Sequence, residues 1–140
     1  RQLGPIVTTF ELLEAVESVL YVPKRNQQSA QVFQAIRIEV NQELEAIEQM
    51  LVQLIDVVEE GGRIALMSYH SLEDRLVKNF IRASRVDDQI EKDFYGNPKL
   101  FFKKLGQPIE ASEEELRLNP RSRSAVLRVA ERVKNLYKES

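Results

Sequence analysis

The hydrophobic positions follow a helical period through the first sixty residues and a mixed helix and strand rhythm after them. Thr8 and Glu11 have the spacing of a capping box, in which the threonine oxygen and the glutamate carboxylate each satisfy an exposed backbone N–H. Leu12, Leu13, Val16, Val19 and Leu20 continue as an apolar stripe that stops before Pro23. Residues 23–29 read as a polar loop. Beyond it, Phe33, Ile36, Val40, Leu44, Ile47, Leu51, Leu54 and Val58 recur at spacings of three and four, which keeps one helix face apolar. Asn41 offers a cap for a second helix, but the stripe crosses it in phase. The pattern therefore predicts one long helix over residues 29–59, bent at most at Asn41 and ended by Gly61-Gly62.

After the glycines, residues 63–69 form a near-continuous apolar run, the kind that fills buried parallel sheets. Ser71 and Asp74 have the Ser-x-x-Asp form of a helix start. Leu72, Leu76, Val77, Phe80 and Ile81 make the buried face of that helix. Residues 85–98 are polar and read as a loop or a mobile excursion. Residues 100–105 suit a strand, Gly106-Gln107-Pro108 a turn, and Ser112–Glu115 another capping box on a short helix. Asn119-Pro120-Arg121-Ser122-Arg123-Ser124 reads as a loop. Residues 125–133 alternate, with Leu127, Val129 and Val133 expected on the buried face and Val126, Arg128, Ala130 and Arg132 on the other. Helices alternating with strands predict an α/β sheet. Three strands are few for a free-standing sheet flanked by helices. With a first residue that is not methionine, this predicts a piece of a larger fold.

Composition narrows the chemistry. The 140 residues are 43% hydrophobic and 30% charged, ordinary values for a globular chain. There is no cysteine and one histidine, so disulfides and thiolate metal sites are excluded and a conventional zinc site is not expected. No apolar run approaches the roughly 20 residues needed to span a bilayer, and no signal-peptide core is visible. A cytoplasmic protein without a membrane partner is the expectation. The net charge of −2 hides an asymmetry: residues 1–60 carry 4 basic and 10 acidic side chains, residues 61–140 carry 16 and 12. The C-terminal stretch with Arg117, Arg121, Arg123, Arg128, Arg132, Lys134 and Lys138 permits an anionic partner, though a basic solvated face reads the same way.

The candidate chemistry gathers where the strand over residues 63–69 turns into the next helix. Ligands of α/β sheets bind outside the carboxyl ends of the strands. Ser68, His70 and Ser71 stand there, and His70 is the only histidine. His70 is either a functional side chain or a hydrogen-bonding group that closes the turn. Asp74 is either a direct participant or a first-turn carboxylate that satisfies backbone N–H groups and the helix dipole. Arg75 pairs with either a carboxylate or a phosphate. Arg121 and Arg123, on a proline-braced loop, can fork onto phosphate oxygens or lock the last strand through salt bridges. Lys24 and Arg25 form the one local positive spot in the acidic half. Phe101-Phe102 reads as core rather than a stacking platform.

Four segments then carry a resemblance: residues 33–44, Gly61-Gly62-Arg63, Ser68-Tyr69-His70-Ser71-Leu72-Glu73-Asp74-Arg75, and Asn119-Pro120-Arg121-Ser122-Arg123-Ser124-Ala125. In their order and spacing they resemble the bacterial RsmH/MraW family, S-adenosylmethionine-dependent enzymes that methylate N4 of a cytosine in 16S rRNA at the decoding centre. The resemblance runs from about Pro5 to Val133. It implies the C-terminal half of a class I, Rossmann-like methyltransferase sheet. Residues 1–38 would be the end of an inserted helical domain, residues 39–140 the C-terminal part of the methyltransferase domain, and the last strand the antiparallel one of that fold. His70, Ser68, Ser71 and Asp74 would then line the cytosine pocket, since a base taken from its stack needs an oriented amine and a nearby proton acceptor. Arg75, Arg121, Arg123, Lys24 and Arg25 would face 16S rRNA of the small ribosomal subunit.

The family's glycine-rich cofactor loop is expected upstream of residue 1. The five glycines here, Gly4, Gly61, Gly62, Gly96 and Gly106, make no such loop, so the chain by itself is expected to be inactive. Two positions depart from the family pattern. Gln27-Gln28-Ser29-Ala30-Gln31 stands where many members have a His-Pro-Ala-Thr-Arg segment, and Tyr69 where many have phenylalanine. A non-catalytic RNA-binding or ribosome-assembly module is the competing expectation, and a homodimer is allowed by the bare apolar face of a half-sheet.

Overall fold

In the computed structural model, which describes residues 5–134, the Thr8–Glu11 capping box forms as its sequence requires. Glu11 Nα–H donates to Thr8 Oγ1 (3.2 Å), and the Glu11 carboxylate accepts from the backbone N–H of Thr8 (2.9 Å) and Val7 (2.8 Å). These last two bonds hold the Glu11 carboxyl below its usual pKa. The helix they start, α1, spans Thr9–Glu17.

Residues 23–29, expected as a loop, are instead a short 3-10 turn over Val22–Lys24 followed by α2, Arg25–Asn41. Pro23 sits in the first turn of the 3-10 segment, where its missing N–H costs nothing. The single long helix is also corrected. Gln42 takes a left-handed backbone (φ 51°), which ends α2 and separates it from α3, Glu43–Val57. The Glu43 carboxylate draws in the side chains around the break, accepting from Arg37 (2.9 and 3.1 Å) and from Asn41 (3.1 Å). An unbroken apolar period did not reveal the break, because a non-glycine left-handed residue leaves no hydrophobic signature. The chain divides into two compact units at this point, residues 1–43 and 44–140.

The second unit carries the α/β architecture. Helix α3 ends at Val57, before the expected glycine stop; Gly61, at φ 79°, and Gly62, where a Cβ would lie 2.8 Å from the Glu59 carbonyl oxygen, instead make the turn into the first strand. Three strands follow: β1 (Arg63–Ser68), β2 (Phe102–Glu110) and β3 (Val126–Arg132), in spatial order β1-β3-β2. The last strand lies between the other two, antiparallel to both. β1 is therefore not a buried parallel strand within the described residues. It is an edge strand with Ile64, Leu66 and Ser68 turned inward and Ala65 and Met67 exposed. The helix α4, Ser71–Ala83, packs across the sheet through Leu76, Val77, Phe80 and Ile81. With Leu51, Ile64, Phe102 and Ala130 these make the core. Phe80 and Phe102 are fully buried with ring centroids 5.3 Å apart, each burial worth about 2–3 kcal/mol. Leu72, expected in that face, is exposed.

Two further expectations change. Gly106-Gln107-Pro108 does not turn the chain. It is an irregularity inside β2, where Leu105 pairs with Val129 and Ile109 with Leu127, so three residues stand opposite Arg128 alone. Gly106 takes φ 69° to permit this. The inward face of β3 is also the reverse of the expected one: Ala130 is fully buried and shares the core face with Arg128 and Arg132. Hydrophobicity pointed the wrong way because both arginines bury their stems and have partners for their heads. The Arg132 guanidinium lies 4.7 Å from the centroid of Phe101 and donates to the carbonyls of Phe101 and Ile55 (both 3.1 Å). The segment after α4 is the expected loop, and its side chains pair within it or with its flanking residues. Arg82 pairs with Asp88, Arg85 with Asp87 and Lys99 with Glu91, while the Asp93 carboxylate accepts from the backbone N–H of Tyr95 and Asn97.

Candidate functional site

The register Ser68↔Val126 and Glu110↔Val126 brings the end of β1, the end of β2 and the start of β3 to one edge of the sheet. The turn at residues 68–71 and the segment leading into β3 therefore share that end. The latter comprises α5, Glu113–Leu118, and a 3-10 turn over Pro120–Ser124. Ser112 caps α5, its Oγ accepting from Glu115 N–H (3.2 Å).

At the first turn, His70 rather than Ser71 is the N-cap of α4, in a capping box with Glu73. One Glu73 oxygen accepts from the backbone N–H of Tyr69 (2.9 Å) and of His70 (3.2 Å). Glu73, not Asp74, thus satisfies the exposed N–H groups, because at three residues past the cap its side chain folds back over them. His70 is half-buried, and Ser71 and Tyr69 are exposed. Ser68 is buried on the core face, its Oγ 3.4 Å from both Asp74 Oδ1 and the Val126 carbonyl, so its single proton serves one or the other.

Asp74 is committed to Arg128. The guanidinium Nε and Nη2 donate to its two oxygens at 2.7 and 2.8 Å, and both side chains are largely buried. These bonds hold the Asp74 carboxyl below its ordinary pKa and raise that of Arg128. A carboxylate so held stays ionised near neutrality and does not donate a proton; it ties the first turn of α4 to the centre of β3. Sequence reasoning missed Arg128 as this partner. The available signal was an arginine at an inward-facing register position, opposite a strand whose following helix opens with an acid.

Arg121 and Arg123 are exposed on the 3-10 turn, and neither makes an ion pair among the described residues. That turn is built by its neighbours: Asn119 Oδ1 accepts from Arg121 N–H (3.3 Å), and buried Ser122 donates from Oγ to the Asn119 carbonyl (2.7 Å). The salt-bridge lock considered for these two arginines is made by Arg128 instead. Arg75 is exposed on α4 and has no ion pair among the described residues. Lys24 and Arg25 belong to the other unit, at the junction of the 3-10 turn and α2; Lys24 is exposed and Arg25 half-buried. Phe102 lies in the core and Phe101 beneath Arg132. Lys138 falls outside the described residues.

The glycines among the described residues do not make a cofactor cradle. Gly61 and Gly62 make the turn between α3 and β1, Gly96 lies in the tight turn over Asp93–Asn97, and Gly106 relaxes the irregularity of β2. These residues alone do not fit a complete S-adenosylmethionine site. No group of three or more His, Asp or Glu side chains poised to hold a metal occurs among the described residues, and no described helix is long and apolar enough to cross a membrane.

The family model described as the MraW methylase family matches residues 1–133. Among similar curated proteins, the chain is 46% identical over 133 residues to "Ribosomal RNA small subunit methyltransferase H" of Flavobacterium johnsoniae, covering 95% of this chain and 44% of that protein. It is 49% identical over 128 residues to the protein of the same name from Cytophaga hutchinsonii, covering 91% of this chain and 43% of that one. The chain thus spans less than half the length of the curated relatives it matches.

Proposed function

Since the chain belongs to the MraW methylase family, we propose that it is the substrate-facing part of an S-adenosylmethionine-dependent methyltransferase acting on N4 of a cytosine in 16S rRNA, at the decoding centre of the small subunit, in the cytoplasm. The observation that supports this best is the shared sheet end. A histidine-capped helix start and a turn bearing two exposed arginines, without ion pairs among the described residues, stand at the termini of paired strands. A flipped cytosine needs its amine oriented and a proton acceptor within reach. His70 is the candidate acceptor and Ser71 a candidate hydrogen-bonding neighbour. Ser68 and Asp74 act from behind, by fixing the turn. Arg121 and Arg123 supply the phosphate contacts, with Arg75 beside the turn and Lys24 and Arg25 on the separate unit as further RNA contacts. The cofactor is the methyl donor the family implies. Because the glycines among the described residues are otherwise used, the 140 residues alone are expected to be inactive.

The glycine usage also favours a second reading, a non-catalytic RNA-binding or ribosome-assembly module. The experiment that separates the two is methyl transfer to small-subunit RNA by the protein in its full natural length. Activity supports the enzyme, and its absence there supports the module. His70→Asn keeps a capping side chain while removing the imidazole, and is expected to lower the rate on the order of 10²-fold. A wild-type rate in that variant would remove His70 from the chemistry while leaving the family assignment intact.

A further inference from the structure

The irregularity in β2 opens a second site, away from the strand-end turn. A cavity of about 270 Å³ lies between α4 and the sheet where Gly106, Gln107 and Pro108 crowd opposite Arg128. Four of its ten lining residues are cationic (Lys78, Arg82, Lys104 and Arg128) and none is acidic. Ile81 and Pro108 supply apolar side chains on the α4 side, while Leu105 and Val129 border it from register positions on the opposite face. The volume lies just under the range of about 300–1,000 Å³ usual for small-molecule sites, which suits one nucleotide rather than a larger ligand.

The charges are not all available, and that shapes the site. Arg128 is held by Asp74 and Arg82 by Asp88, each through Nε and Nη2. Lys78 makes no close ion pair among the described residues, its charge acting at longer range on Asp74 and Asp88, and Lys104 donates to the neutral Gln107 amide (2.9 Å). Two ammonium groups that make no close ion pair among the described residues therefore border a hollow with an apolar wall. A phosphate satisfies them at little cost, because only the weak Lys104–Gln107 bond must yield. Gly106 contributes access: nothing lies within 4 Å of where its Cβ would be.

We propose that this cavity binds a nucleotide, its phosphate on Lys78 and Lys104 and its base or ribose against Ile81 and Pro108. The nucleotide is either free or one residue of a single-stranded RNA. Neither form depends on methyl transfer or on His70, so the site stands or falls separately from the enzyme reading.

The test is a backbone amide titration of the full chain by nuclear magnetic resonance with adenosine 5′-monophosphate, adenosine, inorganic phosphate and a short single-stranded RNA. Saturable shifts at Lys78, Ile81, Leu105 and Gly106 with the monophosphate, and none with adenosine, assign a free-nucleotide site. The same shifts with the RNA alone assign an RNA-strand site. Lys78→Gln with Lys104→Gln, both exposed positions, is expected to weaken binding on the order of tenfold while leaving the remaining spectrum unchanged. Lys104→Gln alone gives an independent, smaller loss. Absence of shifts with both nucleotide ligands overturns the proposal. Equal affinity for inorganic phosphate also overturns it, since the apolar wall would then contribute nothing.

Discussion

Arg128 and the pair Arg121 and Arg123 belong to one basic stretch, yet the fold gives them opposite tasks. Arg128 lies on the inward face of β3, its guanidinium spread over both oxygens of Asp74. Arg121 and Arg123 stand on a 3-10 turn whose backbone is fixed by Asn119 and Ser122, leaving both guanidinium groups exposed and without ion pairs among the described residues. Arg132 sides with Arg128, stacked on Phe101 and bound to two carbonyls. Charge along the sequence therefore overstates the anion-binding surface. An arginine that alternates with apolar residues in a central strand is there to be neutralised. An arginine on a turn tied by its neighbours' hydrogen bonds remains available to a ligand.

The largest effect expected from this contrast is on stability. Arg128→Met leaves the Asp74 carboxylate largely buried without its partner and should cost about 2–4 kcal/mol. Arg121→Gln with Arg123→Gln should stay within about 0.5 kcal/mol of the unsubstituted chain. Urea unfolding of each variant measures both, and comparable losses in the two would erase the distinction. The next effect is on binding. Each phosphate contact to a single strand contributes roughly 0.7 to the slope of log affinity against log salt. The Arg121→Gln, Arg123→Gln double variant should flatten that slope for a single-stranded RNA by about 1.4. An unchanged slope would show that these arginines do not meet phosphate.

How far the sequence went follows the same division. Capping at Thr8, most of the apolar face of α4 and the strand expected at residues 63–69 were legible because each is written in local spacing. The alternation of helices and strands carried the α/β class and the four segments the family, and the family match agrees with them. What escaped was set by partners distant in sequence or by backbone alone. The break at Gln42 depends on one left-handed residue. The orientation of β3 depends on a carboxylate and two aromatic rings that neutralise or cover its arginines. The continuity of β2 through Gly106-Gln107-Pro108 depends on pairing with β3, since in isolation glycine and proline read as a turn. At the candidate site the sequence placed the histidine junction correctly at a strand end. It could not tell that Glu73 would complete the cap while Asp74 turned inward.

The smallest effect, and the most selective, is the acid dependence of the Asp74–Arg128 pair. The hydrogen bond from Arg128 lowers the Asp74 pKa in the folded chain, whereas in the unfolded chain it returns to about 3.9. The folded state thus binds fewer protons in this range. The pair's contribution is fully present above about pH 5 and is lost as pH falls through the depressed folded value. Asp74→Asn should therefore lower the unfolding free energy at neutral pH, by about 1–3 kcal/mol, and the gap from the unsubstituted chain should close below about pH 4. Asp87, lowered to about 2 by Arg85, titrates on the same side. It is exposed, so added salt should weaken its share far more than that of the largely buried pair. Measuring the gap at low and high salt separates the two. A gap that persists unchanged into acid would mean that Asp74 is held by packing rather than by the charge of Arg128.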